Sequence, residues 1–538
     1  MHNTILLALW AGGSFILYKI VAHLLTERYY RNEAKRLGCE PAYKFKLLDF
    51  QGIRNVSRMI AADKRFHIPE YIKGRVDNAC ADEGRSITTF DQKALGVRSM
   101  FTVDPKNVQA VLATQFKDFG LGEKRNVNFS ALLGQGIFST DGAEWQHARN
   151  MLRPQFAREQ VSDLDLEEEH IKNLMRVIPV NKDGWTDVTD IQPLFFRLTI
   201  DSATEFLFGE SVDSQLTALA DYASSRPSMV VSEKDFATSF DAAQASVAMA
   251  TRMGELGWLA FDKTFRHNRD VCWTFIDHYV QKALNLEKAS GKRSASGKQK
   301  YVLLDALAES TRDPIELRAH MISILLAGRD TTASLLSFTY TLFIKHPEVY
   351  QKLRSIILEE FGTYSNPRNI TFSTLKSCTY LQWVLNETLR LHPVVPLDGR
   401  RALKDTTLPT GGGMNGDKPV YIRKGTQVDY SVYVIQRRKD LWGEDANEFR
   451  PERWDARKSG FEYLPFNGGP RICIGQQFAL TEAGYVLVRL AQRFESIVGV
   501  NNSWDSVDNG GQGYFRTKLS LTGCPADGVK VRMKEAQE

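Results

Sequence analysis

Phe466-Asn467-Gly468-Gly469-Pro470-Arg471-Ile472-Cys473-Ile474-Gly475 sets one cysteine in a loop with three glycines and a proline. The loop runs straight into an apolar stretch, Gln476 to Phe494, that reads as a helix. Glycine lets a backbone pass close to a flat partner and take turns closed to other residues. A thiolate just ahead of a helix N-terminus is stabilised by the helix dipole and its free N–H groups. Such a cysteine suits a metal whose remaining positions the protein does not fill. The plain alternative is a buried free Cys packing as a small hydrophobe in a glycine turn.

Haem iron bound by a Cys thiolate meets that description, because the thiolate pushes electron density toward O–O cleavage. The pattern Phe466, Gly469, Arg471, Cys473, Gly475 resembles the haem-binding signature of the cytochrome P450 superfamily, the haem-thiolate monooxygenases. The resemblance extends over roughly residues 40 to 535. It implies a mostly α fold with a smaller β region: a large helical domain around a long central helix, with small antiparallel sheets. It also implies haem b with Cys473 as axial iron ligand, O2 as co-substrate, and NADPH electrons delivered by NADPH–cytochrome P450 reductase, with or without cytochrome b5.

Composition bounds the reading. With 538 residues, 43% of them apolar, the chain is long enough for a large core. Its net charge of +5 is small for this length and gives no support for a nucleic-acid partner. Six dispersed cysteines without a CxxC pair indicate neither a zinc site nor a disulfide scaffold, and fit a reducing compartment.

Ile5 to Leu25 is largely apolar and about long enough to span a bilayer as a helix. Lys19 and His23 interrupt it, which a tilted or shorter span with a snorkelling Lys19 accommodates. Arg28, Arg31, Lys35 and Arg36 follow it, so the positive-inside rule places the bulk of the protein on the cytoplasmic side. A basic n-region and a small-residue cleavage site are both missing, which argues against a cleaved signal peptide. The expected organisation is a single-pass anchor over 1–27, at the endoplasmic reticulum membrane, and a catalytic domain over 28–538. Pro41 and Pro69 read as parts of a polar connection.

Further along, Trp145 and Arg149 are four apart and share a helix face. The guanidinium can pair with a carboxylate and the indole N–H can donate. Alone, such a pair is more often surface packing; by resemblance it grips a haem propionate. Residues 160 to 285 read as helices of mixed amphipathicity, and Glu287 to Lys300 as a solvated loop.

Asp313-Pro314-Ile315-Glu316 starts a helix, with Asp313 as N-cap, Pro314 at N1 and Glu316 at the capping-box position. The helix runs to about Lys345, on the order of 45 Å, and is apolar on nearly all faces from Met321 to Phe343. Ala327-Gly328-Arg329-Asp330-Thr331-Thr332 sits in its middle. Buried charge there is expensive without a purpose. An acid–alcohol pair can relay protons, and by resemblance Asp330 and Thr331 serve oxygen activation; a structural Thr beside a salt-bridged Asp is the alternative.

Glu387 and Arg390 lie three apart on an apolar helix face, and Arg453 follows in Pro451-Glu452-Arg453-Trp454. The resemblance implies a buried structural triad of Glu387, Arg390 and Arg453 that holds the Cys loop. Between these motifs, runs from Arg400 to Leu408 and from Pro419 to Tyr430 suggest a small antiparallel sheet with a hairpin. Arg400, with Arg401 as runner-up, and Arg471 are further propionate candidates by resemblance. The tail from Leu519 to Val531 reads as a hairpin whose tip reaches the pocket, and Val394, Val395 and Leu397 are candidate lining residues.

Leu37 to Cys39, Leu325 to Ala333, Thr407 to Gly413, Tyr430 to Tyr433 and Arg437 to Ala446 look like the fungal alkane and fatty-acid hydroxylases. That branch oxidises terminal or near-terminal carbons, so the resemblance implies a hydrophobic small-molecule substrate. Gln436, where the branch commonly has His, and Glu40-Pro41-Ala42 depart from its pattern and leave open a tailoring oxidase of a secondary-metabolite pathway. A hydroperoxide isomerase or dehydratase needs no proton relay, and Asp330-Thr331 argues against one. A non-catalytic haem sensor is disfavoured by the anchor and the relay. Arg437, Arg438 and Lys439 are either a contribution to reductase docking or a solvated charge run.

Overall fold

The computed structural model describes residues 2–45, 52–94, 96–156, 164–219, 222, 231–289, 301–500 and 516–537. They form two compact units. The smaller is Met1–Val56, Gly74–Gly120 and Gly399–Tyr430; the larger is Ser57–Lys73, Leu121–Asp398 and Ser431–Glu538.

The smaller unit begins with helix α1, His2–Arg36, whose apolar side chains, Trp10, Phe15 and Leu17 among them, are exposed. The helix has a stretch within Leu9–Arg36 long and apolar enough to cross a membrane, and no residue of its most apolar window is buried, whereas farther along Glu27 pairs with Arg423 at 2.6 Å and Tyr30 stacks under the same guanidinium. The unit's six-stranded sheet runs in the order Tyr43–Lys44, Thr89–Ala94, Val97–Thr102, Gln427–Ser431, Leu397–Ala402, Phe119–Gly120. Phe90 faces Phe101 in an antiparallel pair, whereas Phe101 faces Asp429 in a parallel one. The strands expected near Arg400 and Tyr430 therefore join a larger, mixed sheet. The expected hairpin is Thr406–Gly412 against Lys418–Ile422, antiparallel. The buried Asn107 amide ties hairpin to sheet, donating to Thr89 Oγ1 (2.9 Å), Thr102 Oγ1 (3.1 Å) and the Thr410 carbonyl (3.0 Å). Gly411 has φ +103°, and a Cβ there would collide with Thr89, so this turn requires glycine.

The larger unit is helical. Its principal helices are α2 (Gly142–Leu152), α3 (Leu164–Arg176), α4 (Ile191–Phe208), α5 (Glu233–Met253), α6 (Lys263–Ala289), α7 (Pro314–Lys345), α8 (Thr379–Leu391) and α9 (Gln476–Arg493). Leu174 of α3, Phe195 of α4, Leu336 of α7, Leu385 of α8 and Leu487 of α9 meet in one core, each essentially buried. Each such side chain contributes about 1.5–3 kcal/mol on leaving water. Asp313 caps α7 as expected, accepting from the Ile315 N–H at 2.9 Å. Glu316 makes no capping box: it accepts from Thr311 (2.6 Å) and pairs with His147 (2.9 Å), two partners nearer its carboxylate than the cap N–H, which Thr311 Oγ1 takes. Pro69 sits in the first turn of a helix, Ile68–Glu83, where its missing N–H costs nothing, rather than in a connection. The loop expected from Glu287 starts later, since α6 continues to Ala289; the remainder of that stretch lies outside the described residues.

Candidate functional site

The Cys473 loop is built from strained and glycine-dependent backbone. Asn467 (φ +64°) and Gly469 (φ +66°) both take left-handed conformations around a 3-10 turn, Gly469–Arg471. Asn467 is held there by its amide, which donates to Asp398 (2.9 Å) while its oxygen accepts from Gly468 N–H (3.1 Å). A Cβ on Gly468 would press on the Phe461 ring at 3.0 Å. The loop closes where Cys473 N–H donates to the Phe466 carbonyl at 3.0 Å, and Phe466 packs on the main core. Gly475 differs: its φ is −89°, and a Cβ would meet only Phe156 at 3.8 Å, so nothing in the chain itself crowds it.

Cys473 is exposed, and it opens onto a cavity of about 770 Å³ whose walls include Trp145, Arg149, Arg153, Phe156, Gly469 and Ile472. Although the side chain faces the cavity, the protein packed around it keeps water from the sulfur and pushes the thiol up, while the Gly475 N–H and the Arg149 guanidinium pull it back toward the thiolate. Burial and neighbouring Arg153 both work against the charge on Arg149, and only Cys473 favours it. Among the described residues, no carboxylate pairs with Arg149 or Arg153. Two uncompensated guanidiniums beside one thiol make a site for an anionic ligand. Arg153 and Phe156 were missed in the sequence, although Arg153 stands four residues after Arg149, the spacing that places both on one helix face.

The other candidates are placed differently. Arg471 donates to Asp141 (2.7 Å) and to the Thr140 carbonyl (3.0 Å), and its guanidinium stacks over Trp145 at 4.4 Å. Asp141 also accepts from the Leu121 and Gly122 N–H groups, so Arg471 knits the start of α2 to the Cys loop. Arg400 belongs to the smaller unit, where it is buried and donates to the Gly399 carbonyl at 2.7 Å. Asp330 and Thr331 lie in the middle of α7. Thr331 donates to the Ala327 carbonyl at 2.6 Å. Arg329 donates to Asp330 (3.1 Å) and also to Asp241 of α5 (2.6 Å), a partner without any sequence signal. Burial pushes the Asp330 carboxyl up and Arg329 pulls it down. The tail hairpin, Thr517–Leu519 with Gly523–Pro525, meets a candidate lining residue, Gly523 N–H donating to the Val394 carbonyl at 2.8 Å.

Glu387, Arg390 and Arg453 come together. Arg390 forks onto Glu387 with two bonds of 2.8 Å, and Arg453 adds one of 3.0 Å. Arg390 also donates to the carbonyls of Gln436, Ala446 and Glu448, pinning the chain that leads to the Cys loop. Gln436 itself donates to the carbonyls of Leu389 and Arg390 and accepts from Leu464 N–H at 2.8 Å. The basic run nearby is spent locally: Arg437 stacks on Tyr433, Arg438 pairs with Asp440 and Lys439 with Glu444.

Among the described residues, no group of three or more His, Cys, Asp or Glu could hold a metal ion. A metal that arrives with its own ring of donors would need only the Cys473 thiolate from the protein, and the Arg149 guanidinium, unpaired among the described residues, would suit acid groups on such a ring. These residues fit a haem.

The comparisons agree. The family described as Cytochrome P450 matches residues 85–516. The chain is 47% identical over 528 residues to Cytochrome P450 monooxygenase g430 of Fusarium sp, covering 97% of this chain and 90% of the relative. It is 42% identical to Cytochrome P450 monooxygenase alt2 of Alternaria solani, over 87% of this chain and 88% of the relative. It is 46% identical to Cytochrome P450 52A10 of Candida maltosa, with 84% of each chain covered.

Proposed function

This chain belongs to the cytochrome P450 family of monooxygenases, and from that premise we propose that it hydroxylates terminal or near-terminal carbons of an n-alkane, a fatty acid or a molecule with a similar chain. The observation that carries the haem-thiolate part is the Cys473 thiol facing a cavity beside Arg149 and Arg153, two guanidiniums without carboxylate partners among the described residues. The chain-end part rests on the stretches Leu325–Ala333, Thr407–Gly413, Tyr430–Tyr433 and Arg437–Ala446, which resemble the alkane and fatty-acid hydroxylases.

In this reading Cys473 would hold the iron, Trp145, Arg149 and Arg471 would hold the propionates, a role the resemblance also gives Arg400, and Phe466, Gly469 and Gly475 would shape the loop around the thiolate. Glu387, Arg390 and Arg453 hold the segment leading to that loop. Bound there, haem supplies the oxygen-activating redox chemistry that no side chain offers, with electrons from NADPH through a reductase. Asp330 and Thr331 would serve to deliver protons for that oxygen-activating chemistry. Thr331 spends its one O–H on Ala327, so its oxygen remains an acceptor. Asp330 is poised between burial and Arg329, the opposition a proton-transfer group needs. α1 anchors the protein in the endoplasmic reticulum membrane over residues 1–27, with the catalytic domain, 28–538, in the cytoplasm.

A second reading, a tailoring oxidase of a secondary-metabolite pathway, is favoured by the departures at Gln436 and Glu40–Ala42. One experiment separates the two. The full-length protein is reconstituted with a fungal reductase, NADPH, and dodecane or lauric acid, and products are identified by mass spectrometry. Terminal or near-terminal alcohols are expected. No product, from protein whose reduced carbon monoxide spectrum shows thiolate ligation, would overturn the chain-end reading in favour of the second.

A further inference from the structure

Two carboxylates join the Cys473 loop to one short stretch of chain, residues 121–126. Asp141 accepts from Arg471 at 2.7 Å, just ahead of Cys473. The same carboxylate accepts from the Leu121 and Gly122 N–H groups (2.9 and 3.0 Å) and from the Asn126 amide (3.3 Å). Asp398 repeats the arrangement at the start of the loop. One of its oxygens accepts from Arg125 at 2.5 Å and the other from the Asn467 amide at 2.9 Å. The Asp398 side chain is 10% exposed, so little water competes for either bond. The Arg125 bond is also charge-assisted, which makes it one of the stronger kind. The Arg125 guanidinium lies over the Phe129 ring at 4.9 Å, one turn along its own helix, Glu123–Leu133. Asp398 is thereby turned toward Asn467 by a partner that is itself packed.

Asn467 is where this matters. Its φ of +64° lies in the left-handed region, which few residues other than glycine enter without being held. Three bonds hold it. Its N–H donates to the Leu464 carbonyl (3.1 Å), its side-chain oxygen accepts from Gly468 N–H (3.1 Å), and its side-chain amide donates to Asp398. The first two lie within the loop and move with it. The Asp398 bond is the one that reaches outside, to residues 69 positions back and, through Arg125, a further 273. Among the described residues, the cavity wall includes none of Arg125, Asp398 and Asn467, so they reach Cys473 only through the loop.

We propose that Asp398 is a positioning residue for the Cys473 loop. Oriented by Arg125, it fixes the Asn467 amide and with it the left-handed corner from which the loop departs. Together with Asp141 it clamps the loop to residues 121–126 at two points, one at Asn467 and one at Arg471. A loop pinned at one point can pivot about it; pinned at two, it presents its sulfur in one direction. What the clamp serves, a thiolate held on iron, rests on the haem-thiolate reading of Cys473.

The test follows the reduced carbon monoxide spectrum of the full-length, haem-loaded protein at a raised temperature. The rate at which the thiolate signature is lost is compared among wild type, Asp398→Ala, Asn467→Gly and the double variant. Asp398→Ala is expected to lose it about tenfold faster than wild type, because a hydrogen bond to a charged group is typically worth at least that factor. Asn467→Gly keeps the left-handed corner accessible but deletes the amide. It should accelerate the loss in the same way, and it tests the bond where Asp398→Ala does not fold. The double variant should be no faster than the faster single one, since both remove the same bond. Effects that multiply in the double variant would place the role of Asp398 with Arg125 alone and overturn the proposal. A rate for Asp398→Ala within about twofold of wild type would also overturn it. Absence of the thiolate signature from the wild type would sink the haem-thiolate reading and the clamp with it, whereas a wild-type signature with equal rates in all four proteins would sink the clamp alone.

Discussion

Glu387 is fully buried and accepts from Arg390, Arg453, the Trp454 indole and the Arg450 backbone, five bonds between 2.8 and 3.1 Å. Removing the carboxylate leaves two guanidiniums out of water without their main counter-charge. Glu387→Ala should cost about 3–5 kcal/mol, measured by denaturant unfolding of the full-length chain; a loss within about 1 kcal/mol would return the network to the value of an exposed ion pair. At this scale the Cys loop and the Glu387–Arg390 pair were legible, because each is a short motif whose partners lie within a few residues. The engagement of Arg471 was not. Its partner Asp141 stands 330 residues away, and no local pattern reveals a contact made by folding. Gln436 stands out in the sequence only as a departure from the branch's pattern; its three bonds show it bracing Leu464 just ahead of the loop.

Among the elements, α7 carries most of the argument. Its extent was readable because an Asp-Pro start and a long apolar run leave little else possible, and it is buried from Met321 to Leu326 and from Thr332 to Phe343. Its side-chain economy was less readable. Thr331 turns out to bond one turn back along its own helix, and Arg329 divides its charge between Asp330 and an aspartate 88 residues earlier. If Thr331 takes part in proton delivery, Thr331→Ala should lower product formed per NADPH by about tenfold or more, with peroxide appearing instead. Product and peroxide are measured together. Unchanged coupling would make Thr331 structural, a helix threonine satisfied by Ala327.

Over the whole chain, helices dominate, as the resemblance implied, and the β region is smaller. The mixed pairing of the six-stranded sheet was hidden because alternation in one strand does not say which distant strand lies beside it; Val97–Thr102 takes Gln427–Ser431 in parallel from more than 300 residues away. The apolar window of α1, with none of its residues buried, is long enough to cross a membrane. The haem-thiolate reading depends most on one sulfur. The most direct measurement is the reduced carbon monoxide spectrum of full-length wild type and of Cys473→Ser, prepared with haem in the same way. The wild type should show thiolate ligation, and the variant should lose that signature together with product formation. A thiolate spectrum that survives in Cys473→Ser would contradict the account, since another residue would then hold the iron.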